Sequence, residues 1–343
     1  MEHVPNLIKI FSFGAIAFVA SVLLTPTLTN FLYQSRLGKQ IREISMDGDQ
    51  TPLFRKLHIK KTGTPTMAGI LIWGITALIV LLSSFTPYSI FNRGQVWLPL
   101  FTLVACAILG AIDDYFNIRQ IGKNKGLPAK PKLFWLTAFA TAGALWFYFK
   151  LDWHTLHIPR LGDFNIGLLY IPLFIFVIIA SANAVNITDG LDGLAAGLLI
   201  IAFGSYGVIA YLKGMVILTT FCSVITGSLV SFLWFNIPPA RFYMGDTGSL
   251  SLGATLGVIA MLTNSVAVLP FIGFVFVVET LSVILQRWSK RYRQRKIFYI
   301  APLHHHFEHV GWPEYKVTMR FWILGAVMAG VGLIIGLIGM GIR

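Results

Sequence analysis

Three oxygen-bearing side chains recur at every third position near the middle of the chain. The segment NAVNITDGLDGLAAG (183–197) contains Asn186, Asp189 and Asp192, beside two glycines that permit tight turns or close backbone approach. If the segment is helical, the three side chains share one face and form a row of metal ligands or of acceptors for sugar hydroxyl groups. A helix cap by Thr188 or Asp189 is the simpler alternative, but one cap explains one polar residue rather than three.

The same chemistry recurs in two other segments. AIDDYFN places Asp113 and Asp114 at the end of an apolar block. Adjacent carboxylates there favour a compensating cation or a substrate proton, unless the helix simply ends in water. FNIPPARFYMGDTGSLSLG contains Asn236 and Asp246. Its GDTGS run is suited to begin a helix whose N-terminus would attract phosphate, although a plain cap by Asp246 or Thr247 fits equally well.

Basic residues and histidines accompany these acids. KKTGTPTMAG contains Lys61 and Thr66, and Lys132 belongs to a second lysine-rich segment. Such lysines suit phosphate, although they also mark the cytosolic side of membrane proteins. The APLHHHFEHV segment contains three successive histidines, His304, His305 and His306. They cannot all face one metal from regular structure, so a role beside phosphate is favoured over a zinc site or a plain surface loop.

Together these residues predict magnesium-assisted chemistry at a diphosphate. Mg²⁺ needs few carboxylates and completes its coordination with water and substrate phosphate. The sequence contains no thiol cluster, haem ligand pair or glycine-rich nucleotide fingerprint. Glu279 lies within an apolar block and is a weaker candidate, because the sequence identifies no partner for it.

The elements that must hold these residues are transmembrane helices. The chain has 343 residues, of which 56% are hydrophobic and 12% charged, whereas about a quarter of the residues of soluble proteins are charged. We predict an all-α polytopic membrane protein in which 1–343 form one integral membrane domain, with the first apolar block retained rather than cleaved. Ten spans are expected at 10–33, 67–85, 97–112, 133–149, 166–185, 194–212, 216–235, 248–262, 266–286 and 319–341.

The distribution of positive charge predicts an orientation. If both termini are outside, the inner loops and Arg320 hold 21 of the 27 Lys and Arg residues and the outer segments hold six. This bias follows the positive-inside rule, so the net charge of +13 reflects topology and lipid contact rather than nucleic-acid binding. The candidate acids and histidines then converge on the inner face. The basic, aromatic segment 286–300 is predicted to lie on anionic lipid.

Five motifs, in this order along the chain, resemble the phospho-N-acetylmuramoyl-pentapeptide transferase family of the polyprenyl-phosphate hexose-1-phosphate transferase superfamily. They are KKTGTPTMAG, AIDDYFN, NAVNITDGLDGLA, FNIPPARFYMGDTGSLSLG and APLHHHFE. The resemblance covers essentially the whole chain. The first four motifs are shared across the superfamily or its bacterial branch, whereas PLHHHFE is more particular to the muramoyl-pentapeptide enzymes. Ala68, where glycine is frequent, and Pro131 are minor departures.

The resemblance implies that undecaprenyl phosphate attacks UDP-MurNAc-pentapeptide at the cytoplasmic face of the bacterial inner membrane and releases UMP and lipid I. It also implies Mg²⁺, ten transmembrane helices with both termini outside, and a homodimer. Direct attack and a covalent aspartyl intermediate both stay open. The implied catalytic residues are Asp113, Asp114, Asp246 and His304, with Asp246 as the magnesium ligand. The implied substrate-binding residues are Lys61, Thr66, Lys132, Asn186, Asp189, Asp192, Asn236, His305 and His306.

Two rival functions are weighed against this one. A relative that uses UDP-GlcNAc would share most motifs, but the histidine motif argues against it. A lipid or solute transporter would be expected to carry ionisable residues at mid-membrane and some repeat symmetry. This chain has no clear repeat and places nearly all of its acids near one predicted face.

Overall fold

The structure is a computed structural model that describes residues 3–35, 37–38, 61, 63–91, 94–121 and 126–339. Lys60, Lys123 and Lys125 of the predicted basic segments lie outside the described residues. The described chain is mostly helical. Its α-helices are α1 (His3–Gln34), α2 (Gly69–Ser83), α3 (Trp97–Ile118), α4 (Ala129–Leu145), α5 (Tyr170–Thr188), α6 (Leu194–Leu212), α7 (Val216–Asn236), α8 (Gly245–Leu262), α9 (Leu269–Ile272), α10 (Phe274–Arg293), α11 (Leu303–His309) and α12 (Glu314–Gly339).

Six of the described helices are long and apolar enough to cross a membrane. They are α1, α3, α5, α6, α7 and α12, with α5 counted from Gly167. A seventh span results if 266–272 and α10 are taken together, although they are bent by 81° at Gly273. The protein is therefore a multi-pass membrane protein. The remaining predicted spans coincide with α2, which is only 15 residues long, and with α4 and α8.

Helix α8 lies at the centre of the bundle and presents small residues to its neighbours. All of its residues from Thr247 to Leu262 are buried, and it packs against α3, α5 and α2. A Cβ atom built on Gly110 of α3 would lie 2.2 Å from the backbone oxygen of Asp246. Small residues of this kind allow helix backbones to approach closely within a membrane. The α3–α8 contact thereby fixes Asp113 and Asp114 relative to Asp246.

Gly110→Ala should destabilise the protein by about 1–3 kcal/mol, because the methyl group meets backbone that cannot move away cheaply. Gly74→Ala on α2 is the matched control, since nothing lies within 4 Å of a Cβ atom built there. Apparent melting temperatures in detergent compare the two variants. Equal melting temperatures would show that α3 and α8 can separate without cost.

The loops separate into two groups at opposite ends of the bundle. One end gathers Lys61 and residues 63–69, 126–132, 189–193 and 237–244, which lie in or directly beside four of the predicted inner loops. At the other end, Asn264 accepts a hydrogen bond of 3.0 Å from the backbone of His157, and Gln95 accepts one of 3.1 Å from Leu218.

Two features depart from the sequence prediction. Strands β1 (Thr155–Ile158) and β2 (Gly162–Asn165) form an antiparallel hairpin, so the all-α prediction was wrong for this loop. Four residues are the lower limit for an alternating pattern, so these strands leave only a weak signal in the sequence. The predicted ninth span, 266–286, is also broken at Gly273, and α10 continues to Arg293.

Candidate active site

Asp246 lies in the first turn of α8 and is surrounded by side chains from three other helices. Lys132 at the start of α4 donates hydrogen bonds of 2.5 Å to Asp246 Oδ2 and 2.9 Å to Asp113 Oδ2. Asn186 near the end of α5 donates to Asp246 Oδ1 at 2.7 Å and also to Ser249. The structure therefore brings together residues that are separated by up to 133 positions in the sequence.

Asp114 has a different environment from its neighbour. Its two carboxylate oxygens each accept a hydrogen bond of 3.0 Å, from the backbone N–H groups of Asp246 and Thr247. The start of α8 is thus capped by a carboxylate from α3, and the predicted cap by Asp246 or Thr247 was wrong. Gly245, with φ +74°, leaves room for Asp114 Oδ2 and Thr66 Oγ1, which lie 2.5 Å and 2.9 Å from the position of a Cβ atom.

The ammonium group of Lys132 shows that the carboxylates of Asp113 and Asp246 converge on one cationic position. Burial disfavours its charged form, but the two carboxylates outweigh burial and raise the pKa of Lys132 above its usual value. Lys132 therefore remains positively charged at neutral pH. Among the described residues, no group of three or more His, Cys, Asp or Glu side chains is arranged to hold a metal ion.

A second polar group forms around Lys61. Its ammonium lies 2.7 Å from Asp192 Oδ1 and 2.5 Å from Glu314 Oε1 at the start of α12. Glu314 also accepts a hydrogen bond of 2.7 Å from the backbone N–H of Asp192. Asn236 accepts a 3.0 Å hydrogen bond from the backbone of Gly193. This second group thus joins the turn 189–193 to α7 and α12.

A backbone pairing connects the two polar groups. Tyr243 donates its N–H to Pro65 O at 2.8 Å and accepts from the N–H of Ala68 at 3.0 Å. The Tyr243 ring lies 6.0 Å from the ammonium of Lys61, and the chain then leads through Gly245 to Asp246. The two groups therefore form one continuous polar region.

Asn186, Asp189 and Asp192 do not share a helix face, because the segment that contains them is not one continuous helix. Helix α5 ends at Thr188, and a turn follows in which Gly193 has φ +75°. Asn186 faces Asp246, whereas Asp192 faces Lys61 and Asp189 lies between them at the end of α5. Neither Thr188 nor Asp189 caps α6, because the cap position is Gly193 and no side-chain cap is formed.

The three histidines occupy α11 and face three different partners. His304 is fully buried, with Nδ1 3.1 Å from Glu279 Oε2, and its backbone N–H donates to Glu279 Oε1 at 3.0 Å. His305 Nδ1 lies 2.7 Å from Glu308, and His306 stacks on Tyr299 with ring centroids 5.4 Å apart. The three rings therefore point to different partners.

Several of these partners were not predicted from the sequence. Glu279 had no assigned partner, yet it holds His304, and Glu314 was not considered although it binds Lys61 and Asp192. An acid in the first turn of a helix is ordinarily explained by the helix dipole, so Glu314 carried no distinguishing signal. These partners emerge only when α12 packs beside α6 and α11 packs beside α10.

His304 lies against Gly190, which provides a sensitive test of the histidine position. A Cβ atom on Gly190 would lie 2.3 Å from His304 Nε2, so Gly190→Ala should displace the ring. We expect at least about a tenfold loss of kcat/KM, because small misplacements of active-site groups are costly. Gly204→Ala on α6 is the matched control, since nothing lies within 4 Å of its Cβ position. Equal kcat/KM for both variants would show that the position of the His304 ring does not affect catalytic activity.

The helical bundle and its carboxylate–lysine centre define the class of protein. Residues 96–264, which include α3 to α8, match the family model of glycosyl transferase family 4. This matched region contains Asp113, Asp114, Lys132, Asn186 and Asp246.

Full-length relatives identify the family within this class. The chain is 39% identical to a phospho-N-acetylmuramoyl-pentapeptide-transferase of Chloroflexus aggregans, over 98% of this chain and 91% of the relative. It is 39% identical to that of Geobacillus sp. and 40% identical to that of Bacillus pumilus, in both cases over 93% of this chain and 95% of the relative. The chain belongs to the phospho-N-acetylmuramoyl-pentapeptide-transferase family.

Proposed function

We propose that the protein transfers phospho-MurNAc-pentapeptide from UDP-MurNAc-pentapeptide to undecaprenyl phosphate, giving lipid I and UMP for peptidoglycan synthesis. An oxygen of the lipid phosphate forms a bond to the β-phosphorus of the donor. The bond from that phosphorus to the bridging oxygen breaks, and UMP leaves. The observation that best supports this reaction is that Asp113 and Asp246 both contact Lys132, beside Asn186. The family to which the chain belongs supports the same reaction.

The proposed setting is the bacterial inner membrane, with ten transmembrane helices, both termini outside and the active site facing the cytoplasm. The positive-inside bias and the gathering of the predicted inner segments at one end of the bundle support this topology. The short or partly polar helices α2, α4 and α8 would complete the ten spans beside the longer ones. A homodimer is proposed from family resemblance.

Asp246 and Asp113 are proposed to hold Mg²⁺. Their Oδ2 atoms face a single cation, the Lys132 ammonium, and hard carboxylate oxygens are the ligands that Mg²⁺ prefers. One or two carboxylates suffice when water and substrate phosphate complete the coordination, so the lack of a three-acid group among the described residues is compatible with it. When bound, Mg²⁺ would neutralise charge on the diphosphate.

The side chains around Asp246 have distinct proposed roles. Lys132 stays charged and attracts the two anionic substrates. Asp113 is the group able to orient the lipid phosphate or accept its proton, because one of its oxygens faces the shared cationic position. Asn186 orients Asp246. Asp114 is a positioning residue, since both of its oxygens hold the backbone at the start of α8.

The Lys61 group and the histidines are proposed to bind the donor. Lys61, Thr66, Asp189, Asp192 and Asn236 line the polar region that extends away from Asp246. His304 lies beside the turn that contains Asp189, and neutral or protonated imidazoles can donate hydrogen bonds to phosphate. His305 and His306, on the same helix as His304, are proposed to contact the donor beside it.

Release of UMP that depends on the acceptor tests the proposed reaction. Purified protein with Mg²⁺ and UDP-MurNAc-pentapeptide should release UMP only when undecaprenyl phosphate is added. A transporter would release none under either condition, and a hydrolase would release UMP without the acceptor. Competition between UDP-MurNAc-pentapeptide and UDP-GlcNAc separates the two transferase alternatives, and preferential use of UDP-GlcNAc would contradict the proposed donor.

A further inference from the structure

Helix α10 buries polar side chains and exposes apolar ones, the reverse of a surface helix in a soluble protein. Its buried side contains polar residues, namely Glu279, Ser282, Gln286 and Ser289. Its outward side contains large apolar and aromatic residues that are between 45% and 67% exposed, namely Leu281, Ile284, Leu285, Trp288 and Tyr292. The spacing of this exposed set follows one helix face. An apolar stripe that is not covered by the protein requires an apolar environment around it.

The buried polar side fixes the chain that follows α10. Gln286 Oε1 accepts hydrogen bonds of 3.0 Å from the N–H groups of both Ile297 and Phe298, and Gln286 Nε2 donates to Phe298 O at 2.9 Å. Ser289 donates to Arg295 O at 2.8 Å. These contacts hold the returning segment 295–298 against the helix. The surface formed by the end of α10 and this segment is therefore preformed.

That surface is strongly cationic. The stretch 286–300 contains six Lys and Arg residues, and no Asp or Glu occurs from 280 to 307. Arg291, Arg293 and Arg295 are exposed. The Arg293 guanidinium lies 5.0 Å from the Trp288 ring centroid, and the Arg291 guanidinium lies 5.8 Å from that of Tyr292. We call the exposed residues of 287–299 the basic–aromatic surface.

We infer that the basic–aromatic surface binds the headgroups of anionic phospholipids, distinct from the lipid substrate. The apolar stripe of α10 runs directly into the cationic residues, and this combination matches acyl chains beside phosphate. Tryptophan and tyrosine favour the same boundary between hydrocarbon and headgroups. The 81° bend at Gly273 inclines α10 to the preceding helix, and the cationic residues lie at the end of α10 that follows its apolar stripe. Nucleic acid would match the cations but leave the apolar stripe exposed to water.

Two triple variants test the inference with the full chain in lipid nanodiscs. One replaces Arg291, Arg293 and Arg295 by glutamine, and the other replaces the same residues by lysine as a charge-preserving control. Nanodiscs contain phosphatidylcholine with a minor fraction of phosphatidylglycerol and no undecaprenyl phosphate. Native mass spectrometry then counts the phosphatidylglycerol molecules that stay bound. Removing one cation should weaken anionic-lipid binding about fivefold, and removing three about a hundredfold.

The expected result is that the wild type and the lysine variant retain phosphatidylglycerol, whereas the glutamine variant loses it. Free glycerol phosphate should not compete, because it lacks the acyl chains that contact the stripe. Equal retention by the two triple variants, or displacement by glycerol phosphate, would overturn the inference. UMP release by the glutamine variant in detergent shows whether the transfer reaction is intact, so a failure of lipid binding is distinguishable from a failure of the proposed function.

Discussion

Asp246→Asn should reduce acceptor-dependent UMP release by about a hundredfold to a thousandfold, the range for removing one charge-stabilising group from an active site. The substitution removes the charge that balances Lys132 and that is proposed to hold Mg²⁺. Its new amide would place N–H donors near Asn186 and Lys132, both of which already donate to this carboxylate. The proposed reaction therefore loses its cation site, while the volume of the side chain stays nearly constant.

Asp152→Asn is the matched control for this experiment. It removes the same charge from a side chain that is 93% exposed and outside the polar region, so its activity should equal that of the wild type. Mg²⁺ titrations monitored by protein stability give a second readout that does not require turnover. Near-normal UMP release by Asp246→Asn, or unchanged stabilisation by Mg²⁺, would contradict the proposed role of Asp246.

The fold was predictable where long apolar segments determine it. Residues 194–212 were predicted as one span and form α6 with the same bounds. The hydrophobic requirement of a bilayer acts over about 20 consecutive residues, so it leaves a strong local signal. The break at Gly273 and the 155–165 hairpin depend on a few residues and on contacts such as His157 with Asn264. Neither feature is accompanied by a long segment of characteristic composition, so neither could be predicted from the sequence.

The candidate site was predictable as a set of residues but not as an arrangement. The sequence predicted that Asp113, Asp114 and Asp246 would be close, and the structure joins them through Lys132 and the start of α8. The sequence did not distinguish Asp113 from Asp114, because the two differ only in the direction in which their side chains point. On a helix, successive side chains point about 100° apart. Asp114 consequently faces the α8 backbone, while Asp113 faces Lys132.

The partners of Lys61 and His304 could not be predicted for a related reason. Glu314 is 253 positions from Lys61, and Glu279 is 25 positions from His304 on a different helix. Their sequence contexts, the first turn of one helix and the interior of another, are compatible with many partners. Only the packing of α12 and α11 beside the turn 189–193 selects them.

Asp113→Asn and Asp114→Asn should have different consequences although the residues are adjacent and the substitutions identical. Asp113→Asn should abolish most activity with a small change in stability, because the retained amide oxygen can still accept the Leu127 backbone N–H and only the contact with Lys132 is lost. Asp114→Asn should lose activity and also stability, by about 2–3 kcal/mol. Its amide would direct N–H groups at a backbone N–H of Asp246 or Thr247, in a fully enclosed position.

Melting temperature and UMP release, measured on the same preparations, separate these two roles. Asp114→Asn should lose both activity and stability, and both should partly recover when the Mg²⁺ or substrate concentration is raised. Such recovery would support a positioning role for Asp114, because ligands that bind the folded protein stabilise it. Raising the substrate concentration should not restore turnover in Asp113→Asn, because a group that contacts the reacting phosphate cannot be replaced by mass action. If Asp114→Asn keeps the wild-type melting temperature while its activity disappears, Asp114 acts on the substrates directly and the capping role is insufficient to explain it.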